Sequence, residues 1–408
     1  MKNSIAIIAE YNPFHNGHLL HLNKARQLAG ENLPAIAIMS GSFMQRGEPA
    51  FADKWLRAQA AVLSGADLVL ELPAVFSCRS AEFFAVGAVR LLAASGVVKY
   101  LAFGAETADI QTLSQAAAII DNRREELLTI IKSGTSYAAA RTRILESAGT
   151  GFAANKANDI LALEYCRALH KYAPDIIPLV IRREGAGYND TGIESSFASA
   201  SGIRAEYAAN GLSAKILQQL PQSTHELIKK AHTDGRLGYD AAALTTLINY
   251  RLQMLTETQI AAACECSEGL EHRLKKTAGL TDLNSILDAA SSKRYARARI
   301  RRLLMQLLLD TQKSFFTQAQ PQYLRVLAFN SRGQKLLAQM RKTSSLPVIT
   351  KLGRNFKNCL TGETTRDMQI ISQLQIDVNA ANIMELVRLN HRGVYNSDFL
   401  NPPIYIPD

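Results

Sequence analysis

The sequence predicts an α/β domain built on a parallel sheet, followed by a mostly α-helical region. Three observations predict it. Short apolar runs alternate with helical stretches through the first half of the chain. Those runs are continuously apolar, as strands buried on both faces are. After about residue 205 strand-like runs nearly vanish and helical spacing takes over.

The apolar runs are Ile5–Ala9, Ala35–Met39, Leu68–Leu72, Tyr100–Phe103 and Ile176–Ile181. Between them, Lys54–Leu63, Ala81–Ala94 and Asp159–His170 carry apolar residues at helical spacing. Further on, Ile216–Ala231, Ala241–Leu255, Glu268–Thr277, Leu280–Ala290 and Ala296–Leu309 read as helices. The expected division is therefore 1–210 and 211–408, with a mixed C-terminal segment from about Ser344.

The chain has 408 residues, enough for two or three domains with a full core. A hydrophobic content of 47% against 20% charged residues excludes a disordered chain. The net charge of +10 favours a polyanionic partner. Five cysteines, an odd number, and no signal-peptide apolar region point to a reduced, cytoplasmic protein. Cys264-Glu265-Cys266 has metal-like spacing, but no second pair completes a zinc set, so no protein-held metal is expected. No apolar run approaches the length of a membrane span.

Chemistry gathers after the strands. Glu10 to His18 follow the first run, Ser40 to Pro49 the second, Gly104-Ala105-Glu106 the fourth and Arg182 to Asn189 the fifth. In a parallel sheet these are carboxyl ends, and they converge on one rim where ligands bind. Pro13 stiffens the first loop, and Gly17 lets a phosphate approach the backbone. A helix starting near Asn16–Gly17 offers unpaired N–H groups to an anion. His15 and His18 then stand where they can stabilise charge on a phosphoryl group. An isolated H-x-G-H is a weak signal; directly after a clear strand it favours a nucleotide site.

The second signal is Phe197-Ala198-Ser199-Ala200-Ser201-Gly202-Ile203-Arg204. Its serines can cap a helix or hold phosphate, with Arg204 one turn in as a further clamp. Paired with the first loop, it can face a triphosphate from the other side. Ser40-Gly41-Ser42, Gln45 and Arg46 are expected on the same rim, as a ligand contact or as a rigid turn. Lys54 and Arg57 read as solvating a helix, and His21 as structural. A third signal is basic: Lys293, Arg294, Arg297, Arg299, Arg301 and Arg302 place six positive charges in ten residues with no acid among them. RNA phosphate is the natural counter-ion, while Leu303-Leu304 and Leu307-Leu308 on the same helix would face the core.

The H-N-G-H and S-A-S-G-I-R stretches resemble the two signatures of the nucleotidyltransferase superfamily, whose domain is Rossmann-like. The longer runs AEYNPFHNGHLLHL, MSGSFMQRGEPA, LVLELP, FGAE, NDILALEY and REGAGYND are similar to the bacterial tRNA(Met) cytidine acetate ligase family. The likeness continues at GLEHRLKK, SSKRYARARIRRLLMQLLL and YLRVLAFN, so it covers most of the chain.

The resemblance implies a two-step ligase. Acetate attacks the α-phosphate of ATP, giving acetyl-adenylate and pyrophosphate. N4 of the wobble cytidine of elongator tRNA(Met) then takes the acetyl group, without acetyl-CoA. By position it implies an ATP-binding stretch of Ile7, Ile8, Ala9, Glu10, Tyr11, Asn12, Pro13, Phe14, His15, Asn16, Gly17, His18, Leu19 and Leu20. Gly104, Asn158 and Arg183 match further nucleotide-contacting positions, with Ser199, Ser201 and Arg204 on the opposite side. His15 and His18 would be the catalytic pair, and Mg2+ would ride mainly on the phosphates. Ala157-Asn158-Asp159 replaces a common Pro-Asn-Asn, Ala162 a common glycine and Ser201 a usual threonine, which leaves the division of roles between Asn158 and Asp159 open. The competing readings are a small-molecule adenylyltransferase, which needs no arginine-rich helical half, and a non-catalytic RNA-binding relic, which predicts loss of a phosphate residue.

Overall fold

A computed structural model describes residues 3–152, 155–183, 198–267, 269–292, 294–313, 320–353, 364–390 and 393–407. The five expected strands form as β1 (Ser4–Ala9), β2 (Ala35–Ser40), β3 (Leu68–Leu72), β4 (Val98–Ala105) and β5 (Ile177–Arg182). Three more follow: β6 (Leu324–Phe329), β7 (Val348–Ile349) and β8 (Ile404–Tyr405). The sheet order is β5-β4-β1-β2-β3-β6-β7, with β8 paired to β6. β1 to β5 are all parallel, and β6 runs antiparallel to β3.

Side-chain alternation explains why both faces are covered. Ile5 and Ile7 pack with Leu22 and Ala25 of helix α1 (Asn16–Ala29) on one side. Ala6 joins Leu101 and the helices Ala81–Ser95 and Ala157–Tyr172 on the other. Helix α2 (Lys54–Leu63), capped by the Asp53 carboxylate, lays Ala58, Ala61 and Val62 against Val69 of β3 and Leu327 of β6.

The helical region differs from expectation in two places. The Ile216–Ala231 helix is broken: Ala214–Gln218 ends before Pro221, and His225–Thr233 begins after it. The sheet also does not stop near 210. β6 arises before the mixed segment expected from Ser344, and its LRVLAF run pairs antiparallel with β3. The five apolar residues of that run, interrupted only by Arg325, were legible as a strand; only its pairing is a long-range matter.

Lys54 and Arg57 correct the reading that they solvate α2. Both are about 1% exposed. Lys54 Nζ donates to Glu71 Oε1 at 2.8 Å and to Asp398 Oδ1 at 2.6 Å. Arg57 donates to the carbonyls of Ala52 at 3.0 Å, Glu10 at 2.7 Å and Ser40 at 3.0 Å, and to that of Gly41. It thereby ties the ends of β1 and β2 together, just where the functional loops begin. No helix among the described residues is long and apolar enough to cross a membrane.

Candidate active site

β1 lies between β4 and β2, so the chain winds outward from β1 in both directions. That is a topological switch point, where the strand ends part and leave a crevice. A cleft of about 400 Å³ opens there. Ile7 to Asn12, His15, Gly17, His18 and Leu20 line it from the first loop. Gly104, Asn158 and Arg183 line it from β4, the Ala157–Tyr172 helix and the end of β5, and Ser199, Ser201 and Arg204 close the far side.

Four residues of the expected stretch do not line the cleft. Pro13 and Phe14 are buried, with Phe14 against the rings of Tyr11 and His18. Leu19 packs into the core behind α2, and the Asn16 side chain donates to the Gln218 carbonyl at 2.9 Å. The helical turn that brings His15 and His18 to the cleft carries Asn16 and Leu19 away from it. Phe197 lies outside the described residues, as do 184–197 in general.

The two histidines are fixed by the backbone. His15 is the N-cap of α1, and its Nδ1 accepts from Gly17 N–H at 3.0 Å. The His15 N–H in turn donates to Nδ1 of His18 at 3.3 Å. A side chain at Gly17 would bring a Cβ within 2.8 Å of the His15 ring, so the glycine makes this cap possible. Each neutral ring therefore carries its proton on Nε2, available to a phosphate oxygen. The rings stack with centroids 3.9 Å apart and planes 31° from parallel.

Electrostatics keep both rings neutral. Burial, then the Arg183 guanidinium, push His15 down to about 3. Burial, then His15, His21 and Arg183, hold His18 well below the usual imidazole range. Burial disfavours charge of either sign; the Arg183 contribution, beside the two Nε2–H donors, is what favours an anion here.

The roles of Asn158 and Asp159 now separate. Asn158 Oδ1 accepts from Arg183 Nη1 at 3.0 Å, and its Nδ2 donates to Glu106 Oε1 at 2.7 Å. Asp159 points back and accepts from Thr107 N–H at 2.7 Å and Thr107 Oγ1 at 2.9 Å. Asn158 thus orients the cleft arginine, and Asp159 pins the loop after β4. Gly104 leaves room for Arg183: a Cβ there would meet its Cγ at 3.2 Å. Across the cleft, Ser199 caps its helix by accepting from Gly202 N–H at 3.0 Å, with Ser201 Oγ 2.9 Å away. Arg204 donates to the Asn12 carbonyl at 2.9 Å and to Glu48 Oε2 at 3.0 Å.

His21 corrects the structural reading of that residue. Its ring lines the cleft, its Nε2 is buried without a partner, and burial with Arg183 and Lys24 pushes it down to about 4. The signal was present in the sequence: His21 follows His18 by three residues, on the same helical face. Gln45 and Arg46 also line the cleft, whereas Ser40, Gly41 and Ser42 are buried beneath it.

The basic run is not bare of acids once folded. Arg302 Nε donates to Glu265 Oε2 at 2.9 Å, and Arg299 Nη2 donates to the Glu265 carbonyl at 2.9 Å. Arg297 pairs with Asp288 and Arg301 with Glu48. The acids come from distant positions, which local charge counting cannot see. Arg294 and Arg297 remain the more solvent-facing of the group; Lys293 lies outside the described residues.

A sequence model of the family described as HIGH Nucleotidyl Transferase matches residues 1–396. A tRNA(Met) cytidine acetate ligase of Acetivibrio thermocellus is 36% identical over 373 residues, covering 87% of this chain and 89% of that protein. One from a Thermoanaerobacter species is 35% identical over 98% of this chain and 99% of its own.

The chain belongs to the tRNA(Met) cytidine acetate ligase family.

Solved members of that family share its fold. Thermotoga maritima TmcAL in its apo form I superposes with a TM-score of 0.92 at 32% identity, each chain covered completely. TmcAL bound with alpha-thio ATP superposes with a TM-score of 0.89 at 31% identity, again over the full length of both. In this family's frame, the cleft at the switch point is the candidate nucleotide site.

Among the described residues, no group of three or more histidine, cysteine, aspartate or glutamate side chains is placed to hold a metal ion.

Proposed function

We propose that the chain is an ATP-dependent ligase that acetylates N4 of the wobble cytidine of elongator tRNA(Met). One observation carries the nucleotide half: the paired Nε2–H donors of His15 and His18 face Ser199, Ser201 and Arg204 within one cleft. The full-length likeness to the ligase family carries the choice of acceptor.

In the first step an acetate oxygen attacks the α-phosphorus of ATP and the bond to the β-phosphate oxygen breaks. The products are acetyl-adenylate and pyrophosphate. The histidines donate to the reacting phosphoryl oxygens, and Ser199, Ser201 and Arg204 hold the leaving pyrophosphate. No side chain need act as a nucleophile, so positioning and charge stabilisation carry the rate. In the second step the cytidine N4 amine attacks the acetyl carbonyl, AMP leaves and one proton is released. Asn158 and Arg183 orient the adenosine. Mg2+ would arrive on the phosphates, with water completing its shell.

Arg294, Arg297, Arg299, Arg301 and Arg302, with Lys293, form the tRNA-binding face in this reading. Their internal pairing lowers the number of phosphate contacts they can make, without removing the positive field. In this reading the protein works on tRNA in the cytoplasm.

The test is mass spectrometry of nucleosides from elongator tRNA(Met) incubated with the protein, ATP and isotope-labelled acetate. Labelled N4-acetylcytidine with release of AMP is the expected result. ATP split to AMP and pyrophosphate without label in the tRNA would overturn the acceptor and keep the nucleotide site. No ATP consumption with any carboxylate would overturn both.

A further inference from the structure

Glu48 stands between the cleft and the basic helix. It lies in the tight turn after β2, where Met44 N–H donates to the Glu48 carbonyl at 2.8 Å and Gly47 N–H to the Met44 carbonyl at 2.9 Å. Its Oε2 accepts from Arg204 Nη2 at 3.0 Å, and its Oε1 pairs with Arg301 Nη1. One carboxylate thus holds an arginine of the cleft and an arginine of the Arg297–Leu308 helix. The two parts also touch through the backbone. Gly47 has φ +77°, and a Cβ there would lie 2.4 Å from the Arg302 nitrogen and 2.5 Å from the Arg301 carbonyl carbon. Arg301 Nε is buried with no hydrogen-bond partner, so Glu48 is its main anchor.

We infer that Glu48 couples triphosphate occupancy of the cleft to tRNA affinity through the two arginines it shares. The inference rests on the proposed function and adds an order of events to it. A bound triphosphate outweighs a single carboxylate in charge, so it draws the Arg204 guanidinium off Glu48. Both carboxylate oxygens are then left to Arg301, and a bidentate pair is harder for an RNA phosphate to displace. Once pyrophosphate has gone, Arg204 returns to Glu48 and Arg301 opens to RNA. By linkage, tRNA weakens triphosphate binding by the same factor. Acetyl-adenylate lacks the β- and γ-phosphates and leaves Arg204 on Glu48. The enzyme therefore engages tRNA best after the first step, which limits futile contact before the acetyl group is activated. Glu48 is a positioning residue here: it acts through the arginines and need not touch either substrate.

The test measures tRNA(Met) affinity of the full chain in two complexes. One holds α,β-methylene ATP, which cannot be split, and the other acetyl-sulfamoyl-adenosine, which mimics the adenylate without the outer phosphates. Wild-type protein should bind tRNA about fivefold more weakly in the triphosphate complex, at the low end of usual coupling. In Glu48→Gln the difference should vanish, and nucleotide-free tRNA binding should tighten as Arg301 is released. Equal wild-type affinities in the two complexes overturn the inference with no variant involved. A difference kept in full by a folded Glu48→Gln protein also overturns it, assigning the effect to direct repulsion between the bound phosphates and RNA. Arg301→Ala separates the layers. Weaker tRNA binding upholds the helix as part of the interface, so that only the coupling is at stake in Glu48→Gln. Unchanged tRNA affinity takes Arg301 out of the interface, and the inference falls with that part of the tRNA reading.

Discussion

Lys54 Nζ lies 2.6 Å from Asp398 Oδ1, a residue 344 positions later in the chain. The same nitrogen is 2.8 Å from Glu71 Oε1 on β3. An early helix, the sheet and the C-terminal segment are thus closed by one buried cation, with all three side chains under 4% exposed. Removing it strands two buried carboxylates. Lys54→Met is expected to destabilise the protein by about 3–5 kcal/mol, the usual cost of breaking a buried pair from one side. Thermal unfolding checks the size, and limited proteolysis should show earlier cleavage near the C-terminus. A melting temperature equal to that of the wild type would contradict the account.

Asp377 sits in the same cluster, and burial with Glu71 pushes its carboxyl up to about 8. It accepts from Ala74 N–H at 2.7 Å and bonds to the Tyr323 hydroxyl. A folded-state value raised above the ordinary carboxyl value means the folded state holds the extra proton. Its contribution to stability is therefore complete in acid and lost as pH rises through about 8. Wild-type stability should fall between about pH 4 and pH 8 and level off above that. Asp377→Asn keeps the shape and an acceptor for the Ala74 N–H, with its Nδ2 donating to the Tyr323 oxygen, and does not titrate, so its stability should be flatter over that range. Parallel pH profiles for the two proteins would show that Asp377 is ionised when folded.

His15→Ala and His18→Ala each remove an Nε2–H donor and half of the mutual cap. Either change should lower acetate-dependent pyrophosphate release by about 10²–10³-fold, the usual effect of losing one donor to a developing oxyanion. Binding of tRNA should be largely kept. Release of pyrophosphate at wild-type rate from both variants would move the phosphoryl chemistry elsewhere.

Arg294→Glu with Arg297→Glu should weaken tRNA binding and flatten its salt dependence by about one to two phosphate contacts, while sparing ATP binding. These positions are better probes than Arg301, whose reversal would place a carboxylate beside Glu48 and disturb Arg204. The slope of log affinity against log salt is the measurement. An unchanged slope takes these two arginines out of the interface.

Much of the site could be read before the fold was known. The order strand, then Asn12-Pro13, then H-x-G-H is local information, because a loop at a strand end and a cap at a helix start are each made within a few residues. His21 was legible too, had the helical period been followed one turn past His18. The ion pairs of the basic helix were not. Glu48, Glu265 and Asp288 reach Arg301, Arg302 and Arg297 through tertiary contacts, and a charge count along ten residues sees none of them.

By itself the sequence determined the five parallel strands, the helices between them and the residues that crowd their carboxyl ends. Those follow from hydrophobic period and from turn and cap chemistry, which act over one or two turns of chain. Only the tertiary structure decided that β6 returns to β3, and that Lys54 and Arg57 are buried rather than solvated. It also decided that Asn158 faces Arg183 while Asp159 turns away, and that Glu48 sits between two arginines. Each of these depends on which distant segment arrives to satisfy a buried polar group. A buried charge must find a partner, but nothing in its local sequence names the one it finds.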